Sequence, residues 1–293
     1  MRAIRLALIP LLPLLLAATP APQEAWKRGI AGQNEAYAKR PHAMLKIQDS
    51  VYLGEGEAAV LEGRKGVPSS WRWNDKPGAT GPLRLTLKGG KLSIVHNGKA
   101  VDSAVLQKSI VIDQHVDIMG APTQVGAGVE GWRIFVFNQL HPAAKAFKSV
   151  SYYPYDPAFR VTARFAPDLK LTARDFRTSM GTDKRFYQAG VATFHLKGKE
   201  IRLPLYTGER DAKKLADMSA FFTDNLSNRE TYGAGRYLDV EPFGAFPPKT
   251  VTLDFNNAYN PNCALSPHFT CPLAVDEIAL EVRAGEKAPP GKH

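Results

Sequence analysis

The chain has 293 residues, 44% of them hydrophobic, and carries a formal net charge of +10. Val, Ile, Thr, Tyr and Phe fall in short runs between spaced Gly and Pro, with no repeat or low-complexity tract, so the composition excludes repeat and disordered chains and favours a β-rich fold of one large or two smaller domains. Lys and Arg are scattered, as at Lys197, Lys199, Arg202, Lys213 and Lys214, and no run of five like charges marks an arm for nucleic acid or another polyanion.

Residues 1–25 read as a secretory signal peptide. Arg2 and Arg5 precede an apolar run from Leu6 to Leu16, followed by small residues. The run is too short to span a bilayer, which takes roughly 20 residues, and Pro10 and Pro13 weaken it further. Cleavage is expected between Ala18 and Ala25, and loss of the two arginines lowers the formal charge to about +8. No cysteine follows the apolar run, which argues against a lipid anchor, and no later segment is apolar enough to span a membrane. The expected location is periplasmic or secreted.

Residues 26–44 have the mixed spacing of a short amphipathic helix, weakened at Gly29 and Gly32 and ended by Pro41. From 45 to 145 alternating segments such as PLRLTLKGG, KLSIVHNGK and GWRIFVFNQL predict an antiparallel sandwich of about seven strands, with hairpin turns at Lys88–Lys91 and Asn97–Lys99. Pro142, Pro154 and Pro157 break the alternation and mark a junction. Residues 146–287 alternate again and predict a curved antiparallel sheet or small barrel, with one helical turn at 211–217. The fold class is therefore mainly β, with one short N-terminal helix.

Gly126, Gly128 and Gly131 have the G-x-G-x-x-G spacing, but WRIFVFN behind them is a strand where a dinucleotide fold needs a helix, so a β-turn is expected. No G-x-S-x-G elbow, phosphate-binding loop or H-E-x-x-H helix occurs, and no motif calls for a cofactor.

The two cysteines, Cys263 and Cys271, are the sharpest chemical feature. In an exported chain they are expected to pair as a disulfide, stabilising the loop by roughly 2 to 3 kcal/mol. Two other readings stay open. Cys263, His268 and Cys271, with Asp254, could hold zinc, although the spacing is not a standard one; or Cys263 and His268 could act as a nucleophile pair. No metal is assigned.

Around this loop stand Glu230, Tyr232, Arg236, Asp254, Asn256 and Tyr259, which with His268 form the candidate ligand site. If the segment from Tyr232 to Leu238 is one strand, Tyr232, Ala234, Arg236 and Leu238 share a face, as do Asp254 and Asn256. Arg236 and Asp254 would otherwise form an ion pair that fixes two strands, with Asn256 and Asn257 capping a turn. A second cluster, Tyr152, Tyr153, Tyr155 and Phe159, reads as interdomain packing or as a sugar-stacking platform.

The runs ETYGAGRYL, LDFNNAYNPNCALSPHFTCPL and VRAGEK, with YYPYDPAFRVTARFAP upstream, resemble the family catalogued as domain of unknown function 1684, over a span from about Trp26 to Lys287. The family pattern falls on Tyr153, Asp156, Arg160, Glu230, Tyr232, Gly233, Gly235, Arg236, Asp254, Asn256, Tyr259, Asn260, Pro261, Cys263, Cys271 and Pro272. This chain departs from it after the second cysteine, where Pro272-Leu273-Ala274-Val275-Asp276-Glu277 replaces a proline-rich segment. The resemblance implies a shared fold and site region and supplies no activity.

The leading expectation is an exported protein that binds a small molecule or envelope glycan in its C-terminal part. There Arg236 would hold an anionic or hydroxyl group, Tyr232 and Tyr259 would stack, and Asp254 and Asn256 would orient the ligand. The alternatives are a hydrolase with Asp254 or Glu230 as general base and His268 as partner, and a structural envelope protein stapled by the disulfide.

Overall fold

The computed structural model describes residues 21–291. The expected leader lies almost wholly outside them. Its last residues, from Pro22, instead open helix α1 (Pro22–Ala38), which starts earlier than the predicted 26–44 helix and stops before Pro41. Pro22 suits the first turn, where its missing N–H leaves no bond unmade. Among the described residues no helix is long and apolar enough to cross a membrane, a statement that leaves β-barrels aside.

The N-terminal strands are β1 (Ile47–Leu53), β2 (Ala58–Arg64), β3 (Val67–Asn74), β4 (Leu83–Lys88), β5 (Lys91–His96), β6 (Lys99–Val101), β7 (Ile110–Asp113), β8 (Val116–Gly126) and β9 (Val129–Asn138). They are nine rather than seven because β6 and β7 are too short to show an alternation. Two antiparallel sheets result, ordered β1-β9-β8-β7 and β3-β2-β4-β5-β6. They face each other across a core that includes Leu53, Leu61, Trp71, Leu83, Leu85, Ile94, Ile118, Ile134 and Val136. The glycine triplet spans a hairpin: Gly126 ends β8, Gly131 lies within β9, and Gly128 takes the turn between them at φ +70°, a conformation that glycine adopts without strain.

After a short helix α2 (Pro142–Ala146), the second unit comprises β10 (Arg160–Arg177), β11 (Asp183–Leu196), β12 (Lys199–Thr207), β13 (Ser219–Asp224), β14 (Arg236–Asp239), β15 (Thr250–Asp254) and β16 (Asp276–Ile278). Six of these run in the order β14-β13-β12-β11-β10-β15, and β16 adds in parallel beside β13. The sheet curls into a half-barrel around Phe159, Phe165, Phe194, Leu203, Phe222, Leu253 and Phe255. Irregularities in the β10–β11 register between Pro167 and Thr172 accompany the bend of these long strands. The predicted helical turn at 211–217 is a plain turn.

A third apolar cluster joins the parts. Tyr37 and Ala38 of α1, Met44, Leu45, Ile47, Phe135, Phe137, Phe269 and Cys271 pack together. β9 thus points Ile134 and Val136 into the sandwich and Phe135 and Phe137 at the cysteine loop, and burial on both faces is why WRIFVFN reads as a nearly continuous apolar run.

Candidate functional site

The seven predicted ligand residues do not form one pocket. The segment before β14 is a turn, closed by Gly235 N–H donating to Tyr232 O at 3.0 Å, so Tyr232 and Arg236 do not share a strand face. Gly235 has φ +89°, and a Cβ there would come within 2.3 Å of Ala274 Cβ. The turn therefore depends on glycine.

Arg236 is sealed in the interior at 1% exposure. Its Nη2 donates to Asp224 Oδ2 at 3.3 Å and to Val282 O at 3.0 Å, while Nη1 donates to Glu286 O at 3.3 Å and to Ala284 O. The expected partner Asp254 is replaced by Asp224, because β14 pairs with β13, which ends at Asp224, whereas Asp254 ends β15 on the far edge of the sheet. With both Nη atoms bonded to protein and the side chain sealed from solvent, Arg236 is not placed to hold a ligand.

Asn256 is equally committed. Its Oδ1 accepts from Asp156 N–H at 2.9 Å, and its Nδ2 donates to Asp156 O at 2.9 Å and Asp254 Oδ1 at 2.8 Å. Tyr259 donates to Asp239 Oδ1 at 3.2 Å. Glu230 is clamped by Arg283 at 2.6 and 2.8 Å and accepts from the Tyr153 hydroxyl at 2.8 Å, which holds its carboxyl below the usual range. His268 turns to the N-terminal sandwich: its Nδ1 lies 3.4 Å from Ser50 Oγ, and its carbonyl accepts from Tyr52 at 3.0 Å. It shares no partner with Asp254, Glu230 or Cys263 among the described hydrogen bonds, so neither the zinc set nor the nucleophile pair is assembled.

Cys263 and Cys271 are brought side by side as free thiols, with the Cys263 N–H donating to Cys271 Sγ at 3.3 Å. No group of three or more potential metal ligands occurs among the described residues.

Asp254, one of the seven, lines a cleft. The cleft is open, about 560 Å³ in volume, and bounded by Ala21, Pro22, Ala25, Trp26, Arg160, Glu241, Asp254 and Asn257. Asp254 sits where β15 turns into a 3-10 turn (Phe255–Asn257), and it caps that turn by accepting from Asn256 N–H at 3.1 Å. Both of its hydrogen bonds end on Oδ1, and Oδ2 has no partner among the described hydrogen bonds. Burial, and then the nearby Glu241 charge, push its carboxyl above the usual range against the opposing pull of Asn256 and Arg160.

Arg160, the first residue of β10, grips Glu241 through two parallel bonds of 2.8 and 2.6 Å. Trp26 is anchored by its Nε1–H to Asn256 O at 2.8 Å and packs on Tyr155, with ring centroids 5.5 Å apart. The tyrosine cluster thus docks α1 rather than pressing the two sheet systems together: Tyr152 also packs on Trp26, and Tyr153 is buried under Lys287. Trp26, Glu241 and Asn257 were not singled out as ligand residues from the sequence. The one available signal was Trp26, a large aromatic in the first turns of an amphipathic helix.

No curated protein matches this chain. Among solved structures it is similar to an uncharacterized protein of Haloarcula marismortui, determined by solution NMR, at 30% identity over 51% of this chain and 80% of that one, with a TM-score of 0.43. The family described as "Protein of unknown function (DUF1684)" matches residues 145–287. That span is narrower than the one the resemblance implied and leaves α1 and the N-terminal sandwich outside it, while Arg160, Glu241, Asp254 and both cysteines lie within. Through residues 145–287 the chain belongs to the DUF1684 family.

Proposed function

We propose that this is an exported protein that binds a small polar molecule, of which an envelope glycan fragment is the fitting class, in the cleft bounded by Trp26, Arg160, Glu241, Asp254 and Asn257. The observation that carries the reading is the joining of a fixed indole to a buried carboxylate in one open cleft. Sugars present apolar C–H faces to aromatic rings and hydroxyls to carboxylates, amides and guanidinium groups, and this lining supplies each of those partners. The leader-like pattern of Arg2 and Arg5 before the apolar run from Leu6 to Leu16 supports export. In an oxidising compartment the two adjacent thiols would close into a disulfide.

Titration of the full chain with oligosaccharides of N-acetylated amino sugars and of hexuronic acids, followed by tryptophan fluorescence, tests the reading. Saturable quenching that disappears in Trp26→Ala and weakens in Asp254→Asn is expected. No saturable response to any of them would refute the glycan class.

A second reading is favoured by the raised carboxyl of Asp254 beside the arginine-paired Glu241, since two carboxyl groups held in different environments suit acid and base roles. In that hydrolase the partner of Asp254 would be Glu241, neither Glu230 nor His268 being in the cleft. Chromogenic glycosides cleaved by the wild type, and not by Asp254→Asn or Glu241→Gln, would establish it.

A further inference from the structure

The two thiols stand in unequal settings. Cys271 is 7% exposed and packs among Phe135, Phe137 and Phe269, whereas Cys263 packs against that cluster from outside and is only half-buried. The Cys263 sulfur has the Cys271 thiol, the Tyr232 phenol and the Ser179 hydroxyl as neighbours, the last giving its own proton to Phe269 O at 3.2 Å. Hydrogen bonds to a sulfur favour its anionic form, and here they outweigh partial burial and draw the Cys263 thiol down to about 6. Cys271, which donates to Cys263 and is deeply buried, is pushed well up and stays protonated.

The loop needs no covalent tie to hold its shape. Cys271 N–H donates to Ser179 Oγ at 3.2 Å and Ser179 N–H to Cys271 O at 2.9 Å. Leu273 N–H donates to Arg177 O at 2.8 Å, and Tyr237 donates to Pro272 O at 2.6 Å. The segment is thus fixed to the β10–β11 connection and to β14 whether or not the two sulfurs are joined. The arrangement places one half-buried sulfur and one buried sulfur side by side, in unequal surroundings.

We propose that Cys263 and Cys271 form a thiol–disulfide exchange site for low-molecular-weight disulfides, in which Cys263 attacks and Cys271 resolves. The Cys263 thiolate displaces one half of R–S–S–R as a thiolate, breaking the substrate S–S bond and forming a mixed disulfide. Cys271 then gives up its proton and attacks the Cys263 sulfur, forming the internal disulfide and expelling the second R–S⁻. Two electrons pass from the protein to the substrate, which leaves as two R–SH after taking up the two thiol protons. Partial burial of Cys263 favours a small disulfide over a folded protein. Tyr232, beside the attacking sulfur, and Ser179, bonded to the Cys271 backbone, act as positioning residues. The site is separate from the cleft at Asp254, and neither reading depends on the other.

The test uses the reduced full-length chain, glutathione disulfide, an acid quench and intact mass. Wild type should lose two hydrogens and release two equivalents of glutathione. Cys271→Ser should stop as a mixed disulfide on Cys263, and Cys263→Ser should react at least about tenfold more slowly at neutral pH. A first adduct on Cys271, or a Cys271→Ser reaction no faster than that of the denatured chain, would overturn the proposal. So would a wild-type chain that neither exchanges with glutathione disulfide nor is reduced by glutathione, the behaviour of a purely structural staple. Iodoacetamide alkylation of the unmutated chain gives an independent reading: its rate should inflect near pH 6, and an inflection at the ordinary cysteine position of about 8.5 would count against the site. Tyr232→Phe should move that inflection upward.

Discussion

Arg236 and Asp224 form an ion pair in which each side chain is 1% exposed and Nη2 lies 3.3 Å from Oδ2. Each partner is also satisfied elsewhere. Asp224 accepts from Val282 N–H at 2.8 Å and the Thr231 hydroxyl at 3.0 Å, and Arg236 donates to three carbonyls of the 282–286 segment. The pair thereby pins the C-terminal segment to the half-barrel and seats Glu286 inside the protein.

Arg236→Ala should therefore be a folding mutation. It leaves Asp224 charged and buried without its partner, a loss of about 3 to 5 kcal/mol, visible as a lower urea midpoint. Arg236→Lys should recover little, because an ammonium cannot reproduce the guanidinium fork toward several carbonyls and a carboxylate. An unchanged midpoint in Arg236→Ala would contradict the assignment.

Glu286 is 0% exposed, and burial raises its carboxyl to about 7, against bonds from Asn260 N–H at 2.9 Å, Tyr152 at 2.9 Å and Gln33 at 2.8 Å and the pull of Arg236. The unfolded chain ionises this group near 4.5. Between those values the native state holds the extra proton, so stability is full below about pH 4.5 and falls as pH rises to about 7, by on the order of 3 kcal/mol. Thermal midpoints of Glu286→Gln should show a flatter slope than wild type across that window. Equal slopes would show that the group is not carrying the effect.

Arg160→Ala should separate binding from stability. Its pair with Glu241 is partly exposed, at 36% and 32%, so solvent screens it and its loss should cost less than about 1 kcal/mol. Binding in the Trp26 cleft should nevertheless weaken severalfold, as read by fluorescence titration. A large fall in the thermal midpoint with binding intact would reverse this assignment.

Gly235→Ala should destabilise the chain by about 1 to 3 kcal/mol or more, since φ of +89° disfavours a side chain and the new methyl would meet Ala274 Cβ at 2.3 Å and Phe222 O at 2.8 Å. Calorimetry would show it. A neutral effect would mean that the turn relaxes without cost.

The strand candidates were legible because alternation along a segment such as PLRLTLKGG is a local property, and the mainly β class and curved second sheet follow from it. The start of α1 was obscured because Pro22–Ala25 also fit the end of a leader. The site was read less well. Proximity in sequence suggested that Arg236, Asp254 and His268 act together, yet β14 and β15 lie on opposite edges of one sheet and His268 faces the other domain.

The sequence alone determined the alternating strands, the turn glycines and the closeness of the two cysteines along the chain, since each depends on residues within a few positions of one another. Tertiary structure alone decided that Arg236 meets Asp224, that Trp26 joins Arg160, Glu241 and Asp254, and that Cys263 is half-buried while Cys271 is buried. The physical reason is that strand order and the docking of α1 bring together residues more than 200 positions apart, such as Trp26 and Asn256, and both are set by the burial of apolar faces that local spacing does not pair.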